Sequence, residues 1–236
     1  MKKISFILIT FFCLNIFASE DIQYRVLFIS DSHGLGDYGK VMDELLRTKK
    51  NSYIHTYSIG GTAPWQWINP YSRWVSSRGY VDSGSSNSTP LPRNKENIKK
   101  TKTPMFKELL TSMNNLSGKK YIVISLGTNH NHDDWGLNFL KNNVKKMTML
   151  VQEFDYKCFW IGPPQMRRWD QRGSQYYQDT LKAIIMGIED RCLFFDSTAV
   201  TRYPPGGDGI HFSRRIYEHI EYATTWATEA FIRLYK

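Results

Sequence analysis

Four short segments of this 236-residue chain hold polar side chains of the kinds that do chemistry. They are Ser30-Asp31-Ser32-His33-Gly34, Ser58-Ile59-Gly60-Gly61, Leu126-Gly127-Thr128-Asn129-His130 and Asp208-Gly209-Ile210-His211-Phe212. A hydroxyl, an imidazole, a carboxylate, a primary amide and glycine N–H groups are the parts of nucleophilic acyl transfer. In that chemistry a serine hydroxyl is the nucleophile, a histidine takes its proton, a carboxylate holds the imidazole in one tautomer and N–H groups bind the developing oxyanion. Each segment alone also has an ordinary use, Ser32 as a helix cap and Asp208 to His211 as a polar turn. The chemistry depends on all four meeting.

Whether they meet depends on the elements that carry them. Tyr24 to Ser30 and Lys120 to Leu126 are apolar runs of buried-strand length, and Asn51 to Ile59 is a weaker one. Tyr156 to Ile161 and Cys192 to Asp196 complete five strands. Helical spacing separates them, over Gly36 to Leu46, Thr103 to Leu116, Leu137 to Phe154 and Ser174 to Ile188. A last helix carries Ile216, Ile220, Ala223, Ala227, Phe231 and Leu234, with Ser213 as its expected cap. Strands alternating with helices predict an α/β fold with a parallel sheet covered on both faces. Ligands in such sheets bind beyond the carboxyl ends of the strands, which is where all four segments fall.

The stretch from Ala63 to Pro104 breaks the alternation. It holds five prolines, seven basic residues against two acidic ones, and Trp65, Trp67, Tyr71, Trp74 and Tyr80. So long a loop inside one domain is functional or disordered. Trp65, Trp67 and Trp74 are candidates either to stack on a sugar or to pin the loop to the sheet. The loop after the fourth strand adds Arg167, Arg168 and Trp169 behind a Pro163-Pro164 pair, on the same edge. His130 is a further candidate substrate contact. Asp31 is expected to brace its loop through backbone N–H groups, and His55 and His219 to be structural. His33, His130 and His132 with Asp133 or Asp134 match no metal-ligand spacing, so no metal and no cofactor is expected.

The first 18 residues read as an export signal: Lys2 and Lys3, an apolar stretch from Ile4 to Phe17, then Ala18-Ser19. A mature domain from residue 19 to 236 with an insert at about 63–104 is the expected organisation, exported to the periplasm or beyond, with no membrane span after processing. Cleavage leaves the chain two charges short of its formal +9, still basic enough to favour an anionic partner. Export argues against nucleic acid as that partner. Cys158 and Cys192 remain, one before each of two apolar runs, either bridged across neighbouring strands or buried as free thiols.

At the four segments the chain resembles the SGNH (GDSL-like) hydrolase superfamily, named for a Ser, Gly, Asn and His in four blocks. Ser32, Gly60, Asn129 and His211 match those positions in order, and Asp208 matches the Asp three residues before the His. The resemblance makes Ser32 the nucleophile, His211 its base and Asp208 the group that holds the imidazole, with the Ser32 N–H, the Gly60 N–H and the Asn129 amide as the oxyanion donors. Three neighbours differ: Ser30 stands for a usual Gly, Ser58 for an Asn and His130 for an Asp, and none removes a reacting group. The resemblance runs from Val26 to about Phe231. It implies a three-layer α/β/α fold with a five-stranded parallel sheet, flavodoxin-like in order. It also implies a serine esterase, exported like relatives with similar Gly-Pro-Pro segments that act on envelope glycans. The expected substrate is an acylated, most simply acetylated, carbohydrate such as peptidoglycan or an acidic polysaccharide. A lipase or lysophospholipase, an acyltransferase, and a catalytically idle glycan binder use the same scaffold and are the alternatives.

Overall fold

A computed structural model describes residues 22–69, 75–130, 136–167, 171–186 and 192–236. The expected export signal, Trp74, His132, Asp133, Asp134, Arg168 and Trp169 lie outside the described residues.

The apolar runs form strands that are covered on both faces. β1 (Tyr24–Ser30) is buried from Arg25 onward, and β5 (Lys119–Ser125) and β6 (Lys157–Ile161) are buried over their last four residues. A strand covered on both sides has no polar face to display, so its sequence is continuous rather than alternating. β2 (Ser52–Ile59) alternates, and β7 (Cys192–Phe195) is buried only at its two ends.

The sheet order is β4-β3-β2-β1-β5-β6-β7. β2, β1, β5, β6 and β7 are mutually parallel, as the alternation predicts. β3 (Val75–Ser85) and β4 (Lys99–Lys102) are the difference. They run antiparallel and extend the sheet beyond β2, so it has seven strands rather than five. Both come from the 63–104 insert. β3 reads VSSRGYVDSGS and β4 KKTK, with few apolar side chains, so no hydrophobic period marks them as strands.

Alternate residues of β1 face two separate cores. Leu27 and Ile29 pack with α2 (Pro64–Ile68), α3 (Phe106–Asn114), α4 (Gly136–Glu153) and α5 (Gln171–Met186). Val26 and Phe28 pack with Tyr38, Met42 and Leu46 of α1 (Asp37–Arg47) and Ala223, Trp226, Ala227 and Ala230 of α6 (Tyr217–Leu234). These are the three layers. Ser213 does not cap α6, which begins after Ile216. Its N–H instead donates to Nδ1 of buried His219, whose Nε2 donates to the Pro205 carbonyl, so His219 is the structural residue expected. Cys158 and Cys192 are register partners on β6 and β7 and form a disulfide, with Cα atoms 4.3 Å apart.

Candidate active site

Register sets the stage. Ser30 pairs with Ser58 on β2 and with Ser125 on β5, so three strands end level. The Asp31 N–H still bonds the Ser125 carbonyl at 3.3 Å, and the chain then turns through a 3-10 helix, Ser32–Leu35. Asp31 caps it, its Oδ1 accepting the His33 N–H at 3.0 Å. A Cβ on Gly34 would lie 2.4 Å from Ser58 Oγ and 2.5 Å from Ser30 Cβ. Only glycine lets the turn press this closely onto the strand ends. Ser32, first in the turn, keeps an N–H without a partner inside it.

The second wall is the loop before α6. Asp208 Oδ1 accepts the Ile210 and His211 N–H groups at 2.8 and 2.7 Å, and Gly209 between them has a φ of +84°. The turn folds the two side chains together. His211 Nδ1 lies 2.7 Å from Asp208 Oδ2, and its Nε2 lies 2.8 Å from Ser32 Oγ. With the carboxylate facing Nδ1, the proton sits there and Nε2 accepts from the serine. The Tyr203 hydroxyl donates to the His211 carbonyl at 2.8 Å and fixes the loop from below. Partial burial alone would raise the Asp208 pKa. Hydrogen bonds from the His211 ring and from the two amides outweigh it and hold the carboxyl at about 2. Three residues 179 positions apart in sequence at the extremes thus form one hydrogen-bonded chain.

Beneath the chain lies His33. Its ring centroid is 5.6 Å from that of His211 and 5.4 Å from that of Trp226, edge-on to the latter. Burial, helped by His211, pulls its pKa down to about 3, so it is neutral under ordinary conditions. Asp31 is buried as well. Desolvation raises its pKa to about 6, against hydrogen bonds from His33 and Thr128 and the attraction of His211. Among the described residues no group of three His, Cys, Asp or Glu side chains converges in metal-binding fashion.

Of the three expected oxyanion donors, two keep that geometry open. Asn129 sits in the 3-10 helix Thr128–His130 after β5, and its Nδ2 donates to the Thr62 carbonyl at 3.0 Å. That bond orients the amide and uses one of its two N–H groups. The Gly60 N–H differs from expectation: it donates to the Arg78 carbonyl at 3.0 Å, continuing the β2–β3 ladder. The antiparallel strand that sequence did not reveal is the reason.

The aromatic candidates divide. Trp67 is fully buried in the core among α2, α3 and α4 and is not a stacking surface. α2 begins with Pro64 and turns this side chain inward, which a tryptophan in a proline-rich stretch does not disclose. Trp65 is half-buried, edge-on to Phe139 at 6.3 Å. Arg167 reaches the Gly207 carbonyl at 3.0 Å and lies 5.7 Å from the Tyr203 ring, so it braces the loop that carries Asp208. His130 ends the short helix that holds Asn129. Arg93, counted only as one basic residue of the insert, proves to be buried against the Ser32 turn, where its Nη1 donates to the Gly34 carbonyl.

Among solved structures the chain is similar to Axe2, an acetylxylan esterase from Geobacillus stearothermophilus, at 14% identity over 89% of this chain and 96% of that one, with a TM-score of 0.54. The chain has the SGNH hydrolase fold. It is also similar to the psychrotrophic esterase EstA from Pseudoalteromonas (10% identity, 89% and 98% covered, TM-score 0.52). A GDSL-like lipase from Bacteroides thetaiotaomicron matches as well (15% identity, 89% and 88% covered, TM-score 0.50). Two further structures of Axe2 are catalytic mutants, one with an aspartate and one with a serine changed to alanine. No protein-family model matches the chain, and no curated protein matches it in sequence.

Proposed function

We propose that the protein is a serine esterase that removes acyl groups, most simply acetyl, from a cell-envelope carbohydrate such as peptidoglycan or an acidic polysaccharide. One observation carries the reading: the continuous Ser32–His211–Asp208 hydrogen-bond chain at 2.8 and 2.7 Å. In the reaction Ser32 Oγ bonds to the ester carbonyl carbon as its proton passes to His211 Nε2. The carbonyl oxygen becomes an oxyanion, met by the Ser32 N–H and the second Asn129 N–H. The imidazolium returns the proton to the departing sugar hydroxyl, leaving an acyl-serine. Water repeats the sequence and frees the carboxylic acid. Asp208 stays ionised throughout and stabilises the imidazolium.

The substrate class has separate support. Axe2, which shares the fold, is an acetylxylan esterase. The chain is basic, with a formal net charge of +9, which suits an anionic polymer. The test is acetate release from O-acetylated peptidoglycan and acetylated xylan, beside p-nitrophenyl acetate, by wild type and Ser32→Ala. Acetate released by wild type and absent with Ser32→Ala is the expected result. A wild type that hydrolyses only long-chain acyl esters would overturn the carbohydrate reading. Activity surviving in Ser32→Ala would overturn the nucleophile.

A further inference from the structure

The geometry points to Arg93, on the 86–98 connection between β3 and β4, as a positioning residue for the nucleophile; the inference rests on the esterase reading above. A short 3-10 turn leaves its last carbonyls without partners of its own. The Ser32–Leu35 turn has both answered by arginines from elsewhere. Arg93 Nη1 donates to the Gly34 carbonyl, and Arg214 Nη2 donates to the Leu35 carbonyl at 2.5 Å. Arg214 also donates through Nη1 to the backbone carbonyl of Arg93 itself at 2.8 Å. It follows His211 by three residues in the chain. The insert, the nucleophile turn and the base loop therefore meet at Arg93, two residues from the Ser32 backbone.

Arg93 is held as a rigid strut. Its guanidinium carbon lies 3.9 Å from the centre of the Tyr80 ring, and Nη1 is also 3.4 Å from Ser58 Oγ. Tyr80 is anchored in turn, its hydroxyl donating to the Leu91 carbonyl at 2.9 Å. Asp82 accepts from the Leu91 N–H at 3.1 Å and from Arg47 Nη2 at 2.8 Å, which ties the connection to α1. Arg47 also reaches Asp43 at 3.4 Å, and both carboxylates attract the Arg93 charge. A planar guanidinium stacked on an aromatic face, with one nitrogen shared between two acceptors, is a place where lysine does not substitute for arginine. Nothing in this arrangement reaches toward substrate. Its effect is on where Ser32 Oγ stands relative to His211 Nε2.

The test compares Arg93→Lys and Arg93→Met with wild type on p-nitrophenyl acetate, together with the rate of covalent labelling by an organophosphonate and the melting temperature. Misplacing a reacting atom slightly costs rate steeply, so kcat is expected to fall about 10- to 100-fold with KM within about twofold. Labelling should slow by the same factor, and Arg93→Lys should recover only part of the loss. If Arg93→Met fails to fold, Arg93→Lys decides alone. Wild-type kcat and labelling in a folded variant would overturn the proposal, as would a change confined to KM or one that merely tracks the unfolded fraction. A wild type inert to both ester and phosphonate would instead overturn the esterase reading itself.

Discussion

At the scale of residues, the site is a set of charge states imposed by surroundings. Asp208 accepts three hydrogen bonds from its own loop and stays ionised down to about pH 2. Its depressed pKa makes a stabilising contribution that is complete above its ordinary 3.8 and lost only as pH falls through about 2. Asp208→Asn should therefore cut kcat on the order of 1,000- to 10,000-fold at neutral pH, with the circular dichroism spectrum unchanged. A rate near wild type would mean another group orients His211. His33 and Asp31 carry opposite pH signs. The unfolded chain protonates His33 near 6.5 and the folded one near 3, so His33 removes stability as pH falls between those values. Asp31, raised from 3.8 to about 6, removes stability as pH rises across that window. His33 spans the wider range, so its sign should dominate. Thermal melts at pH 7, 5.5 and 4 should show a smaller acid-side drop in Tm for His33→Phe than for wild type. Parallel curves would contradict the assignment.

At the scale of elements, legibility followed burial. β1, β5 and β6 are continuous apolar runs because helices cover both their faces, and such runs announce themselves. The four polar segments were legible with them, since each follows a strand. β3 and β4 were not, because strands rich in serine, glycine and lysine show no hydrophobic period and take their order largely from backbone pairing, β3 with β2 and β4 with β3. Two site features hid behind that hairpin. One is the Gly60 N–H, paired with Arg78, and the other is Arg93, whose partner is a backbone carbonyl that no side-chain pattern records. Trp67 stays open between stacking and pinning in the sequence for a related reason: a five-residue helix is too short to show a helical period. Its burial gives a clear expectation. Trp67→Ala should cost ~3–5 kcal/mol in urea unfolding and lower hydrolysis of p-nitrophenyl acetate and of a glycan in parallel with stability. A selective loss on the glycan would restore a stacking role.

At the scale of the whole molecule, charge and sheet edges matter most. If the partner is the anionic polymer proposed above, the chain's net positive charge, formally +9 before processing, acts on it through forces that salt screens beyond about 10 Å at 0.1 M. KM for an acidic glycan should rise between 0.05 and 0.5 M salt, while KM for p-nitrophenyl acetate, a neutral ester, should stay constant. Equal responses would remove long-range attraction from the account. The hairpin has one more effect at this scale. Without it β2, eight residues long and carrying Tyr53 and Tyr57, would be the rim of the sheet, its outward N–H and C=O groups open to a strand from another molecule. The hairpin closes that rim and passes the edge to β4, four residues long, with Lys99, Lys100 and Lys102 exposed. Short, lysine-rich edges repel one another, so the same segment that steadies the nucleophile also works against sheet-to-sheet joining of neighbouring copies along this edge.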